Sequence, residues 1–169
     1  MEDHKLEFIL NNHKLWLESQ GKSGVQANLT GLLFSKKDLA KMSVSTKSHT
    51  AMELSDAQLM ELTFMEAGMV GVNLQEAILI GTDFQEASLI GANLQKALLV
   101  GANLQKADLT RANLAGALLI GANLKGSTCC EANLMGADLT GANLQQTDFT
   151  RATLDPPALE NPLSLAPTK

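Results

Sequence analysis

Residues 72–151 read as four lines of twenty: VNLQEAILIGTDFQEASLIG (72–91), ANLQKALLVGANLQKADLTR (92–111), ANLAGALLIGANLKGSTCCE (112–131) and ANLMGADLTGANLQQTDFTR (132–151). One apolar residue returns every five positions through all of them. The series runs from Leu59 through Phe64, Met69, Leu74 and Leu79 to Phe149 and Leu154, and its twenty members are Leu, Phe or Met except Cys129. Two residues before most of them stands something small, as at Ala57, Ala67, Ala77, Ala87, Ala97 and Ala107.

Period five fits neither a strand, whose faces alternate every two residues, nor a helix at 3.6 per turn. The apolar spacing runs two, three, two, three, so the alternation loses parity after each inward pair. A chain that keeps both members of every pair on one side turns a corner in each unit, and therefore coils. Outward positions reveal the number of units per coil, because they repeat where they stack. AILIG, ALLVG and ALLIG recur at 77, 97 and 117, whereas the units ten residues on read ASLIG, ADLTR and STCCE. Four units per coil aligns them.

ANLQKA, ADLTRANLAGA and ANLMGADLTGANL resemble the A(D/N)LXX unit of the pentapeptide-repeat proteins. The resemblance implies an all-β solenoid, a right-handed quadrilateral parallel β-helix with four pentapeptide faces, twenty residues per coil, and the Ala and Leu-type residues inside.

The flanks read differently. Residues 4–20, HKLEFILNNHKLWLESQ, place Leu6, Ile9, Leu10, His13, Trp16 and Leu17 at helical spacing, with Gly21 positioned to end the helix. An open β-helix end exposes unpaired backbone and core side chains, so 1–24 is expected as an N-terminal helical cap, with His13 and Trp16 as packing residues. The β-helix is expected over 25–155, with an irregular coil or bulge near 35–51. There the five-residue register would turn Lys37, Lys47 and His49 inward, and a degenerate coil bulging at Ser45 to Thr50 is favoured over a detached loop. Pro156 and Pro157 offer no N–H to a strand, which leaves 156–169 as a proline-rich tail.

The 169 residues, 45% hydrophobic with mean hydropathy +0.02, suit one soluble domain. An aromatic content of 4% is thin for an ordinary globular core and sufficient for a Leu- and Ala-filled solenoid. No apolar run approaches the roughly 18 residues of a membrane span. The opening MEDHKLEFI lacks the basic-then-apolar layout of a signal peptide. A cytoplasmic protein with reduced cysteines is the expectation.

Any function is expected on outward positions, since inward ones are committed to packing. Asn or Asp precedes the apolar residue at 73, 83, 93, 103, 108, 113, 123, 133, 138, 143 and 148, too often for a ligand set, and is read as scaffolding. Glycines at 71, 81, 91, 101, 121, 136 and 141 mark corners needing an unencumbered backbone. One face departs from this polar exterior: Ile78 and Ile80, Leu98 and Val100, Leu118 and Ile120 fall at outward positions of three successive coils. Stacking makes them one apolar patch of order a few hundred Å², the candidate interaction face.

Charge is uneven around a net −5. Residues 51–91 carry Glu53, Asp56, Glu61, Glu66, Glu76, Asp83 and Glu86 with no Lys or Arg, a candidate acidic surface. No catalytic, cofactor or metal set emerges, since His4, His13 and His49 have no Cys or His neighbour at ligand spacing. In Cys129-Cys130 the register turns the first thiol inward and the second outward, poorly placed for a mutual disulfide. The reading is a non-enzymatic protein-interaction module that binds a protein partner, or itself as a weak homodimer, through the apolar face. Direct nucleic-acid binding, membrane association and a small-molecule substrate are not expected. Two alternatives follow from the resemblance: a DNA-mimicking modulator of a type II topoisomerase, or a structural or regulatory protein in cyanobacterial cells.

Overall fold

The computed structural model describes Phe8, Ile9, Asn11, Asn12, Leu15, Glu18, Ser19, Gln20, Lys22 and Ser23, then Leu54, Leu59, Met60 and all of 62–155. The irregular segment expected at 35–51 and the tail after 155 lie outside the described residues, as do His13 and Trp16.

Parallel bridges join each mid-face residue to the one twenty positions later, from Thr63 with Asp83 to Asn133 with Thr153. That spacing is the four-unit coil. Each bridge is a single residue wide, because a five-residue unit leaves only its centre straight between two corners. The expected strands are thus reduced to one bridged residue per face.

Hydrogen bonding explains why five residues suffice. In the unit 92–96, Ala92 N–H donates to Leu89 O at 3.0 Å across the preceding turn, Asn93 N–H to Val72 O at 2.9 Å in the coil before, and Leu94 and Lys96 N–H to Asn113 O and Ala115 O in the coil after at 2.7 and 2.9 Å. Only Gln95 N–H finds no backbone acceptor. The Asn93 side chain takes it, with Oδ1 at 3.3 Å. A backbone N–H left without any partner is costly when water cannot reach it, and the Asn or Asp supplies the missing acceptor locally. All eleven Asn and Asp positions named above make this bond to the residue two further on. The scaffolding reading therefore has a mechanism.

The Asn side chains also join coil to coil. Asn93 Nδ2 donates to Asn73 Oδ1 at 3.0 Å, Asn113 to Asn93 at 3.3 Å and Asn133 to Asn113 at 3.2 Å. A second run links Asp83, Asn103 and Asn123.

Inside, the large inward positions from Leu59 to Leu144 are buried, as are the positions two residues before them from Leu62 to Ala142. Phe64 and Phe84, one coil apart, stack with centroids 5.3 Å apart and planes 11° from parallel. Thr82 occupies a small position and is fully buried, its hydroxyl donating to Leu59 O at 2.8 Å. Thr147 donates in the same way to Leu124 O.

Every corner from Glu66 to Arg151 turns through a left-handed residue. Its φ lies near +64 to +70° at nine glycines, among them Gly116 and Gly126, which join the seven expected. It lies at +56 to +59° at Glu66, Glu76, Glu86, Lys96, Lys106, Arg111, Glu131, Gln146 and Arg151. Positive φ at the third residue of a four-residue turn, closed by a bond such as Ala97 N–H to Leu94 O at 3.1 Å, is the type II pattern. Sequence reading took glycine as a requirement here, and the structure corrects it to a preference. A side chain in this conformation costs of order 1 kcal/mol, and the bonds binding each unit to its neighbours outweigh that.

At the N-terminus Phe8, Ile9, Asn11, Asn12, Leu15 and Glu18 are helical, with Ser19 N–H donating to Leu15 O at 3.0 Å. Ile9 is half-buried against the hydrophobic cluster, while Phe8 and Leu15 are exposed.

The inward and outward roles predict unequal tolerance. Leu104→Ala leaves a cavity in a column with no exposure and should cost about 2 to 5 kcal/mol. Gln105→Ala, on the surface, should cost less than about 0.5 kcal/mol. Denaturant melts of the two variants check the assignment, which equal midpoint shifts would contradict.

Candidate interaction face

Face identity follows from the bridges. Ile78 pairs with Leu98, Leu98 with Leu118, and Leu118 with Asp138, so the six apolar residues singled out from sequence stack in one column of units. Ile78, Leu98, Val100 and Leu118 are half-buried by their neighbours, and Ile80 and Ile120 remain 39% and 38% exposed. Met60 continues the column below and Asp138 with Thr140 closes it above.

Replacing Asx by Ile or Leu at the centre of this face removes the local acceptor. Among the described residues, the N–H groups of Ile80, Val100 and Ile120 have no acceptor in the chain, although the equivalent N–H of Thr140 regains one from Asp138 Oδ1 at 2.9 Å. Three such donors in succession occur on this face alone among the described residues. They point to the same side as the side chains that would have capped them, outward, between apolar groups. Sequence reasoning missed them, although the signal was present: the apolar face is where A(N/D)L gives way to AIL and ALL.

The corners bounding the face are also distinctive. On one side they read Gly81, Gly101, Gly121 and Gly141 in successive coils, with no side chain at all. A Cβ added at Gly101 or Gly121 would meet nothing within 4 Å, and other corners carry Glu, Lys or Arg at nearly the same φ. Neither space nor backbone alone demands glycine along this whole edge. On the other side the corners read Glu76, Lys96, Gly116 and Gly136.

Among the described residues the acidic side chains occupy more than one column of the coil. Glu53, Asp56 and Glu61 lie outside the described residues. Glu66 and Glu86 share one corner column and Glu76 occupies another, while Asp83 sits mid-face, accepting from Gln85 N–H and Asn103 Nδ2 at 2.9 Å each. Basic residues of the next coil reach down onto two of them. Lys96 Nζ lies 3.3 Å from Glu76 and Lys106 Nζ 3.0 Å from Glu86, and the Lys106 hydrogen bond and charge hold the Glu86 carboxyl below its usual range. A third column pairs Arg111 with Glu131 at 2.8 Å, and Arg151 approaches the same carboxylate at 3.9 Å. These pairs are exposed and contribute little stability individually. Their effect is to set a cation of the neighbouring coil beside Glu76, Glu86 and Glu131.

Chemistry is scarce elsewhere. Among the described residues no group of three or more His, Cys, Asp or Glu is placed to hold a metal ion, and no helix is long and apolar enough to cross a membrane. Cys129 is buried in the place of a Leu, and burial pushes its thiol up to about 12. Cys130 faces outward and donates to Asp148 Oδ2 at 3.3 Å, a bond that holds the thiol protonated and raises its pKa. The carboxylate itself accepts from Thr150 Oγ1 at 2.6 Å and from its N–H at 2.9 Å, which keep it ionised.

A family model for pentapeptide repeats matches eight copies over residues 67–105, 97–128 and 117–155, more than half of the chain. The chain belongs to the pentapeptide-repeat family, whose members form right-handed quadrilateral β-helices. Similar solved structures include a pentapeptide-repeat protein of the Arabidopsis thaliana thylakoid lumen, at 27% identity over 54% of this chain and 68% of that one, TM-score 0.46. Another is Rfr23 of the cyanobacterium Cyanothece 51142, at 28% identity over 86% of this chain and 95% of that one, TM-score 0.45. HetL of Nostoc sp. strain PCC 7120, involved in heterocyst differentiation regulation, is 30% identical over 62% of this chain and 60% of its own, TM-score 0.38. None of the curated proteins compared with the chain matches it.

The two thiols should differ from an ordinary exposed cysteine. Only the thiolate attacks an alkylating reagent, and both environments disfavour it. Near neutral pH, iodoacetamide should modify native Cys130 slowly and Cys129 only after denaturation. Asp148→Asn removes the group that raises the Cys130 pKa and should accelerate its labelling several-fold, read by mass spectrometry. Fast labelling of the unmodified protein, with no change on substitution, would contradict this reading of the Cys130–Asp148 contact.

Proposed function

We propose that this chain is a non-enzymatic protein-interaction module that docks a protein surface on the face of Ile78, Ile80, Leu98, Val100, Leu118 and Ile120. One observation carries the reading: among the described residues, on this face alone, in three successive coils, the repeat gives up the side-chain cap that its own backbone uses elsewhere. Folding does not ask for that loss, since the Leu74 and Phe84 faces keep Asn or Asp in successive coils and pack the same core. Apolar groups beside unpaired donors are instead what a partner with apolar side chains and carbonyl oxygens would cover. The topoisomerase-directed alternative needs a sustained negative surface, and Lys96 and Lys106 on Glu76 and Glu86 count against it.

Replacing Leu98 and Leu118 together by Asp should leave the melting temperature within a few degrees, as both side chains point outward. It should also remove proteins that the unmodified chain retains at the same face in proximity crosslinking. Identical crosslinked sets for the two proteins would overturn the reading.

The N-terminal helix is part of the same proposal, as the cover of the open first coil, supported by Ile9 lying against the hydrophobic cluster. Deletion of residues 1–21 should then produce soluble oligomers or aggregates. A truncated protein that stays monodisperse and equally stable would remove the helix from that role.

A further inference from the structure

The candidate face has four stacked units, and their order makes it complementary to itself in one orientation. Consider a half-turn about an axis lying in the plane of the face, perpendicular to the rod and midway between the coils of Leu98 and Leu118. It lays the rods antiparallel, sets Leu98 against Leu118 of a second copy and Ile78 against Asp138 of that copy. We propose that the occupant of the apolar face is a second copy of this chain, bound in this antiparallel two-fold arrangement. The inference rests on the face being a contact surface and goes beyond that reading by naming what contacts it.

Steric fit along the edges is the first argument. The charged corner column reads Glu76, Lys96, Gly116, Gly136, so reversing it places every side chain opposite a bare corner: Lys96 meets Gly116 of the second copy and Glu76 meets Gly136. The other edge is glycine throughout, and two bare ridges meet there. Their openness lets water reach the donors of Val100 and Ile120.

Donor and acceptor placement is the second argument, and it fixes the direction. Antiparallel docking brings the Asp138 carboxylate to the unit whose Ile80 N–H has no acceptor. Its Oδ1 already accepts from Thr140 N–H, and a carboxylate has lone pairs for further donors. The symmetry makes this contact twice. The parallel two-fold alternative, with its axis along the rod, sets the mid-face Asp138 against Asp138. Like charges brought face to face are repulsive, so that orientation is disfavoured.

The buried area decides the strength. Coils about 4.8 Å apart give a face roughly 20 Å tall, so two copies bury several hundred Å² in total, under the roughly 1,200 Å² of stable specific interfaces. The dimer is transient and concentration-dependent.

Sedimentation of the full chain, taken up to millimolar concentration, should show reversible monomer–dimer exchange. Gly116→Lys fills the bare corner opposite Lys96 and should weaken association at least tenfold. Its backbone already has the φ that Lys96 and Lys106 adopt, and its new Cβ would meet Lys96 Cγ at 3.5 Å, an ordinary contact. Direction is read separately by crosslinking in a Cys130→Ser background. Leu98→Cys mixed with Leu118→Cys should form the mixed disulfide, while either variant alone should not. A disulfide of Leu98→Cys with itself would overturn the antiparallel arrangement. A chain that stays monomeric at millimolar concentration would overturn the second copy as occupant, and the face would then be judged solely by the crosslinking of foreign proteins to the Leu98 and Leu118 pair described above.

Discussion

The constraint on which the rest depends is the one N–H in five that no other backbone group reaches. Coil-to-coil bonds and the turn bond take four donors of a unit that has a coil on either side, as in 92–96, and geometry leaves the fifth pointing outward after the apolar residue. An Asn or Asp two positions earlier resolves it within the unit, and the same side chain then grips its equivalent twenty residues away. Local capping and long-range register are thus performed by a single residue type. This explains why the repeat is recognisable by A(D/N)L and not by its apolar residue alone.

Where the side-chain cap is missing, the local consequences differ by face. At Val70 and Ile90 the residues two positions earlier are Gly68 and Ser88, and the units sit among exposed, mixed surroundings. At Ile80, Val100 and Ile120 the substitution is apolar, repeated, and bordered by a ridge of glycine. The distinction separates an incidental gap in the repeat from an organised one. Corner composition follows a similar logic, because nine corners accept charged residues or Gln at a modest backbone cost and several gain ion pairs with the coil above or below.

Much of the fold was legible in the sequence because the period and the phase are both chemical. Leu every five residues sets the inward column, and the recurrence of AILIG, ALLVG and ALLIG sets the coil at twenty, which the bridges from Ile78 to Asp138 reproduce. The six residues of the apolar face were legible for the same reason. The unpaired donors beside them were not read, since a backbone N–H leaves no letter in the sequence and shows itself only by the absence of Asx. The ion partners of the acidic residues were not read for a related reason: Glu76 and Lys96 are twenty residues apart in the chain and 3.3 Å apart in space, so a linear window of charge misses the partner lying one coil away. Glu66, Lys106 and Arg111 were not recognised as left-handed corners, because glycine was read as the marker of a conformation that the inter-coil bonds impose on any residue standing there.

The twenty-residue register also sets how such a chain can change length over evolutionary time. Loss or gain of a single five-residue unit would leave the core column and the backbone ladder nearly intact, since every unit presents the same inward pair. It would nonetheless rotate all later units by one side of the square, and Leu118 with Ile120 would no longer stand above Leu98 with Val100. Folding therefore tolerates insertions in fives, whereas any surface assembled from several coils tolerates them only in twenties. Lineages that keep such a surface are confined to whole-coil steps.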